Sequence, residues 1–231
     1  MRTHRRPLLF MVMIFCLAFA VGGVAAAQSP PAPEKILAGL SERYRQLASL
    51  KTAYNRVART PSTDPLFKGG SAQNATGALY WARPDRLLLD QKAPQPEAMV
   101  TDGKTIWWHI PAEKIVYRYQ DVDVAGQLRP LLSFLSGINS LTADFDVSPA
   151  PADDTRPGQY GLALLPKVSE GGEDKLTVWC GPDFALTGFK LESVTGETTD
   201  FYFFEFVDNP TLDEALFNFK VPSGTEVVEE E

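Results

Sequence analysis

Gly77-Ala-Leu-Tyr-Trp-Ala-Arg-Pro84, then Arg86-Leu-Leu-Leu-Asp90, then Met99-Val-Thr-Asp-Gly-Lys-Thr-Ile-Trp-Trp108: these β-prone runs, separated by turn formers, decide how the chain folds. Asp102-Gly103 sits between two apolar runs and is a strong hairpin signal, because a type I′ turn needs φ > 0 at its central positions. In the first run Leu79, Trp81 and Arg83 share one parity of a strand, so one face carries two large apolar side chains and a cation. A guanidinium on such a face must find acceptors or stay wet, since burying it unpaired costs several kcal/mol. Function is expected where this charge meets the apolar surface.

Working outward, strand signals recur on both sides. Upstream, Thr52, Tyr54 and Val57 read as a strand, followed by a Pro- and Gly-rich break from Pro61 to Ser71 and a return into Thr76–Trp81. Downstream come Leu87–Leu89, Met99–Thr101, Thr105–His109, Ile115–Tyr119, Tyr160–Leu165, Lys175–Cys180, Leu186–Ser193 and Thr198–Val207. Short runs separated by turns argue for an antiparallel meander and against βαβ units. Phe201-Tyr-Phe-Phe-Glu-Phe206 carries aromatics on both parities, so this strand is expected to be covered on both sides. Phe217-Asn-Phe219 and Val221-Pro222 close the fold, and Glu229–Glu231 read as a frayed tail. Ser148 to Gly158 and the carboxylates Asp144 and Asp146 read as loop.

Two helical patterns break the meander. Ile36, Leu37, Leu40, Tyr44, Leu47 and Leu50 form one apolar stripe from Glu34 onward, expected to pack on a sheet. Leu128, Leu131, Leu132, Leu135 and Ile138 have helical spacing within Gly126–Ile138, with almost no charged face, so that helix needs apolar neighbours on more than one side. The expected class is mainly β (α+β): ten to eleven strands, two or three helices, no internal repeat. An antiparallel sheet of that size curls, giving a barrel-like sheet with helices over one mouth.

Residues 1–27 read as a cleaved secretory signal peptide, with 28–231 as a single domain. Arg2, His4, Arg5 and Arg6 form a positive start, Leu8 to Val21 an apolar stretch, and Ala25-Ala26-Ala27 a small-residue cleavage site. About 14 strongly apolar residues fall short of the roughly 20 needed for a span. The whole chain has 22 Lys+Arg against 29 Asp+Glu; without Arg2, Arg5 and Arg6 the balance becomes 19 to 29, a net of −10. An acidic chain with no basic run has a poor electrostatic case for nucleic acid or anionic membrane surfaces. Export places the protein in an oxidising compartment, yet only Cys180 survives cleavage, so no internal disulfide forms.

Signals for chemistry are weak. His109 is the single histidine after the leader and reads as structural. No His/Cys/Asp cluster has metal spacing, no Gly-x-Ser-x-Gly context marks a nucleophile, and no Gly-rich phosphate loop opens a helix. The pairs Asp144/Asp146 and Asp153/Asp154 lie in loop-like surroundings that favour solvation over a hydrolase pair. Cys180 reads as a buried free thiol. No catalytic residue, cofactor or metal is expected.

The order of motifs resembles the LolA family of periplasmic lipoprotein carriers. The matching residues are Gly77-x-Leu79 followed by Arg83-Pro84; Val100-x-Asp102-Gly103-Lys104-Thr105-x-Trp107 with Pro111 beyond; the apolar 131–135 stretch; Tyr160-x-Leu162 with Leu165-Pro166-Lys167; and Phe217-x-Phe219-x-Val221-Pro222-x-Gly224-x-x-Val227. The resemblance runs from about Ile36 to Val228. It implies an incompletely closed β-barrel with a helical lid over an apolar cavity that takes acyl chains, a lid-closing arginine at Arg83, and a non-enzymatic carrier. The cavity is expected to be lined by Leu79, Trp81, Leu87, Leu89, Leu132 and Leu135. The implied partners are acylated lipoproteins, an inner-membrane lipoprotein-releasing ABC transporter and an outer-membrane acceptor lipoprotein, with the carrier a monomer in the periplasm. Arg56 stands where the family has a glutamine, and Leu88–Leu89 where it often has an aromatic. Two other readings stay open: a periplasmic lipid-binding or envelope-sensing module of similar half-barrel shape, and a lipid or glycan hydrolase.

Overall fold

The structure, a computed structural model, describes residues 30–61, 70–120, 141–167 and 175–230. One helix, α1 (Pro33–Arg45), precedes twelve strands: β1 (Ser49–Thr60), β2 (Ser71–Ala82), β3 (Arg86–Ala93), β4 (Glu97–Thr101), β5 (Ile106–Ile110), β6 (Ile115–Tyr119), β7 (Phe145–Pro149), β8 (Tyr160–Pro166), β9 (Lys175–Cys180), β10 (Leu186–Glu192), β11 (Thr198–Asp208) and β12 (Glu226–Glu230). A helical turn, Leu141–Asp144, leads into β7, and a 3-10 turn, Glu214–Phe217, precedes β12. The expected helix over Gly126–Ile138, and with it Leu132 and Leu135, lies outside the described residues, as do the signal peptide and most of the Pro61–Ser71 loop.

All twelve strands form one sheet in the order β12-β6-β5-β4-β3-β2-β1-β11-β10-β9-β8-β7, with β12 and β7 at its free edges. The sheet is therefore open, as an incompletely closed barrel should be. Register shifts in the β1–β11, β2–β3 and β9–β10 ladders introduce the local bends that curvature needs. Every pair is antiparallel except β12–β6, which is parallel.

The helix fills the concave side. Pro at the start of α1, Glu34 in its first turn and Arg43 and Arg45 in its last agree with the helix dipole. Its apolar stripe buries Ile36, Leu40 and Tyr44 against Leu50 and Tyr54 of β1, Leu79 and Trp81 of β2, Leu162 and Leu164 of β8, and Phe201 and Phe203 of β11. The helix packs against β7 and β8. Gly39 allows the close approach, because a Cβ there would overlap the Phe184 ring. The stripe thus packs on a sheet as its spacing requires. Leu47 and Leu50, which continue the stripe in sequence, lie beyond the helix end, and Leu50 belongs to β1.

Three expectations are corrected. Asp102-Gly103 does make a hairpin, but not a two-residue type I′ turn. Thr101 pairs with Ile106 across a four-residue loop, and only Gly103 of its residues has positive φ. The Asp102 carboxylate accepts the N–H groups of Lys104 (2.9 Å) and Thr105 (3.0 Å), which stabilises the wider loop. Phe145–Pro149, with Asp146, is an edge strand and not a loop. Phe217 ends a 3-10 turn capped by Asp213, whose carboxylate accepts the Ala215 N–H at 2.9 Å. Phe217 packs over Ala82, Leu88 and Val100 on the convex face, and Phe219 stacks on Trp107 at 5.6 Å. Because the chain crosses that outer face before reaching the edge, it arrives parallel to β6. Glu229 and Glu230 are therefore paired in β12 and not frayed, with Glu229 bonded to Arg118 at 3.2 Å.

The convex side of β9–β11 is closed by the loop before β8. Arg156, its side chain 1 % exposed, lies between the rings of Trp179 and Tyr202, with its guanidinium carbon 4.0 Å from each centroid. It bonds to the buried Asp200 carboxylate and pairs with Asp153 at 3.5 Å. A Cβ at Gly188 would overlap the guanidinium, so glycine leaves it room. Covering of β11 on both faces thus holds at Tyr202, whereas Phe204 farther along is 39 % exposed. Among the described residues no helix is long and apolar enough to cross a membrane.

Candidate functional site

Arg83 lies just past the end of β2 and reaches the end of α1. Its Nε donates to the Leu47 carbonyl and one terminal nitrogen donates to the Tyr44 carbonyl, both at 2.6 Å. The Tyr44 carbonyl belongs to the last turn of α1, where the negative end of the helix dipole favours a cation, and the Leu47 carbonyl lies just beyond it, so a forked donor set reaches both. The guanidinium also sits over the Trp81 ring at 5.5 Å. The charge on a greasy face finds its acceptors in backbone carbonyls while Arg83 as a whole stays exposed.

Two further devices hold the same turn of the helix. The Tyr44 hydroxyl accepts the Leu186 N–H at 3.0 Å, and burial pushes the Tyr44 phenol pKa above its ordinary value. Arg43 bonds to Asp208 at 3.0 Å and lies 3.6 Å from Asp183. These surface pairs contribute little singly, about 0–1 kcal/mol. Together with Arg83 they fasten the C-terminal turn of α1 to the ends of β2, β10 and β11.

Beneath that turn lies a small apolar void, with room for about one water molecule and open on one side, lined by Tyr44, Leu50, Thr52, Leu79, Leu186, Phe203 and Phe206. Tyr44 thus joins the two features: its carbonyl is held by Arg83 and its ring walls the void. Of the residues expected to line a cavity, Leu79 does so. Trp81, Leu87 and Leu89 are buried in the same concave core but do not border the void. Sequence reading missed Tyr44, Leu50, Thr52, Leu186, Phe203 and Phe206 as lining. Tyr44 and Leu50 were visible as members of the helical stripe, but nothing in their spacing distinguishes core from cavity wall.

The remaining candidates for chemistry are structural. His109 packs against Phe219 with ring centroids 5.6 Å apart, and burial lowers its pKa. Cys180 is buried in the core, and burial, helped by Asp183, pushes its thiol up to about 12. The Asp153 carboxylate accepts from the Thr155 hydroxyl at 2.6 Å and the Thr155 N–H at 2.9 Å, which lower its pKa from the ordinary value. Among the described residues no group of three or more His, Cys, Asp or Glu side chains is placed to hold a metal ion.

The family model described as outer membrane lipoprotein carrier protein LolA matches residues 63–220, which include Arg83 and Leu79 and begin after β1. An outer-membrane lipoprotein carrier protein of Dechloromonas aromatica is 31% identical over 165 residues, 70% of this chain and 75% of that protein. One of Azotobacter vinelandii is 26% identical over 212 residues, 91% of this chain and 96% of that protein, and so extends the likeness to α1. Among solved structures, an uncharacterized conserved protein from Thermus thermophilus superposes with a TM-score of 0.50 at 12% identity, over 85% of this chain and 98% of that one; this likeness is one of fold alone.

Proposed function

The chain belongs to the LolA family of outer membrane lipoprotein carriers, and from that premise we propose that it binds lipoprotein acyl chains between α1 and the concave sheet and carries them across the periplasm to the outer membrane. The observation that carries this reading is the junction at Tyr44, where Arg83 fastens the helix turn that walls the apolar void. In this reading residues 28–231 are the exported carrier domain, loaded by an inner-membrane lipoprotein-releasing transporter and unloaded onto an outer-membrane acceptor.

The energetics favour a lid that resists opening. Each acyl CH₂ moved from water to an apolar site gains about 0.8 kcal/mol. Burying a lipoprotein's chains completely would gain roughly 30 kcal/mol, beyond the practical limit near 18–21 kcal/mol for non-covalent affinity, and a carrier binding so tightly would not unload. The crevice has room for about one water molecule, far less than a small-ligand pocket, so a long acyl chain enters only if α1 moves away. Opening costs the Arg83 bonds and exposes the helix's buried stripe, and that cost is subtracted from the ligand's affinity. Unloading restores both.

The test is release. The mature protein, incubated with inner-membrane vesicles that hold a triacylated lipoprotein and the releasing transporter, is expected to bring the lipoprotein into the soluble fraction as a complex and to pass it to outer-membrane vesicles. Failure to form a complex would overturn the reading. A complex that forms but never transfers would assign the chain to lipid binding or envelope sensing instead.

A further inference from the structure

Leu50, Thr52, Tyr54 and Arg56 share one parity of β1 and therefore its concave face. Leu50 and Thr52 border the void under α1, whereas Arg56 lies six residues beyond Leu50, about 20 Å along the strand at roughly 3.3 Å per residue. There the apolar wall gives way to a polar group. Arg56 donates one terminal N–H to the Gln91 side-chain oxygen at 2.9 Å, and the buried Gln91 donates its amide to the Gln95 carbonyl at 2.9 Å. The Arg56 Nε is shielded from water and has no acceptor among the described residues. Its neighbour Tyr54 has a phenol pushed up to about 12, by burial first and against the pull of Arg56. The nearby carboxylates are engaged elsewhere: Glu97 accepts the Trp108 indole N–H at 3.3 Å, and Asp90 pairs with Lys92 at 2.6 Å.

A buried donor without an acceptor destabilises the fold, and an oxygen brought by a ligand would remove that cost. An arginine beside an amide suits an oxygen acceptor, because the guanidinium fork presents parallel N–H groups and the amide can turn to donate. We propose that Arg56 and Gln91 bind the oxygen-bearing head of the acyl ligand, with the chain running from there along β1 toward the void under α1. This rests on the reading that the concave face takes acyl chains, and it adds direction: heads at Arg56, tails beneath the helix. The oxygen is a carbonyl of an ester or amide linkage, or the carboxylate of a free fatty acid.

Three ligands with the same chain separate these terms: dodecanoate, methyl dodecanoate and dodecyltrimethylammonium, each displacing a neutral fluorescent probe from the mature protein. The wild type is expected to bind dodecanoate and methyl dodecanoate more tightly than the cation. Arg56→Met, which keeps an unbranched stem and removes the donors, is expected to lose about tenfold of the dodecanoate affinity, and to leave dodecyltrimethylammonium binding as strong as in the wild type or stronger. Arg56→Lys is expected to recover much of the loss. A loss shared by methyl dodecanoate identifies an acyl linkage as the natural head, and a loss confined to dodecanoate identifies a free carboxylate. Dodecanoate affinity unaltered by Arg56→Met, or an equal fall for all three ligands, would overturn the proposal. If the wild type bound none of the three, the acyl-cavity reading itself would fail.

Discussion

Replacing Arg83 with leucine is expected to produce a protein that loads lipoprotein and retains it. Leucine keeps apolar bulk over Trp81 but removes both donors to the Tyr44 and Leu47 carbonyls. Hydrogen bonds to charged groups contribute about 1.5–3 kcal/mol each, and the partial exposure of Arg83 places these two at the lower end. Their loss weakens the closed, empty state, so the opening cost drops and the ligand is held correspondingly more tightly. Transfer to acceptor membranes should slow by at least about tenfold, with loading intact or improved. Arg83→Lys should be intermediate, since an ammonium cannot fork across two carbonyls. Normal transfer by Arg83→Leu would remove Arg83 from the closing mechanism.

Arg156→Ala is expected to cause the largest loss of stability, about 3–5 kcal/mol at neutral pH, because it strands the buried Asp200 carboxylate. For a domain of this size that corresponds to a fall in Tm on the order of 10 °C. The effect has a defined pH dependence. Burial raises the pKa of Asp200 in the folded protein, and Arg156 opposes that rise. A carboxyl with a raised folded pKa costs stability as pH climbs from its unfolded value, about 3.9, through the folded one. Without Arg156 the folded pKa moves higher still, so the deficit is greatest at neutral pH and shrinks as pH falls toward about 4. Asp200→Asn in the same background should recover part of the loss. A variant melting within about 2 °C of wild type at pH 7 would show that this ion pair does not secure the loop.

Much of this architecture was legible where periodicity and burial coincide. The stripe Ile36, Leu40, Tyr44 is a helix packed on a sheet because a 3.6-residue period leaves no other use for it. Strands β2 to β6 and β8 to β11 were readable as short runs between turns. The two edge strands were not. Phe145–Pro149 holds an aspartate and a proline, which an edge tolerates and a central strand does not, and β12 is rich in glutamate because its free side faces water. The 3-10 turn at Phe217 has an apolar pattern dictated by the convex face of β2–β4 and not by its own period. At the site, Arg83 was conspicuous because arginine at that parity violates the pattern around it. Arg156 was invisible, since a lone arginine in a Pro/Asp-rich loop looks like any solvated cation until the fold brings Trp179, Tyr202 and Asp200 around it.

The movement of α1 is open to direct measurement. Cysteines at Ala38, exposed on the helix, and at Val194, 61 % exposed in the β10–β11 turn, can carry spin labels, while the buried Cys180, its thiol near 12, stays unreactive. Double electron–electron resonance should give one short distance for the empty carrier, a longer one after loading with a triacylated lipoprotein, and the longer one already present in empty Arg83→Leu. Identical distance distributions for the empty and the loaded carrier would contradict a helical lid.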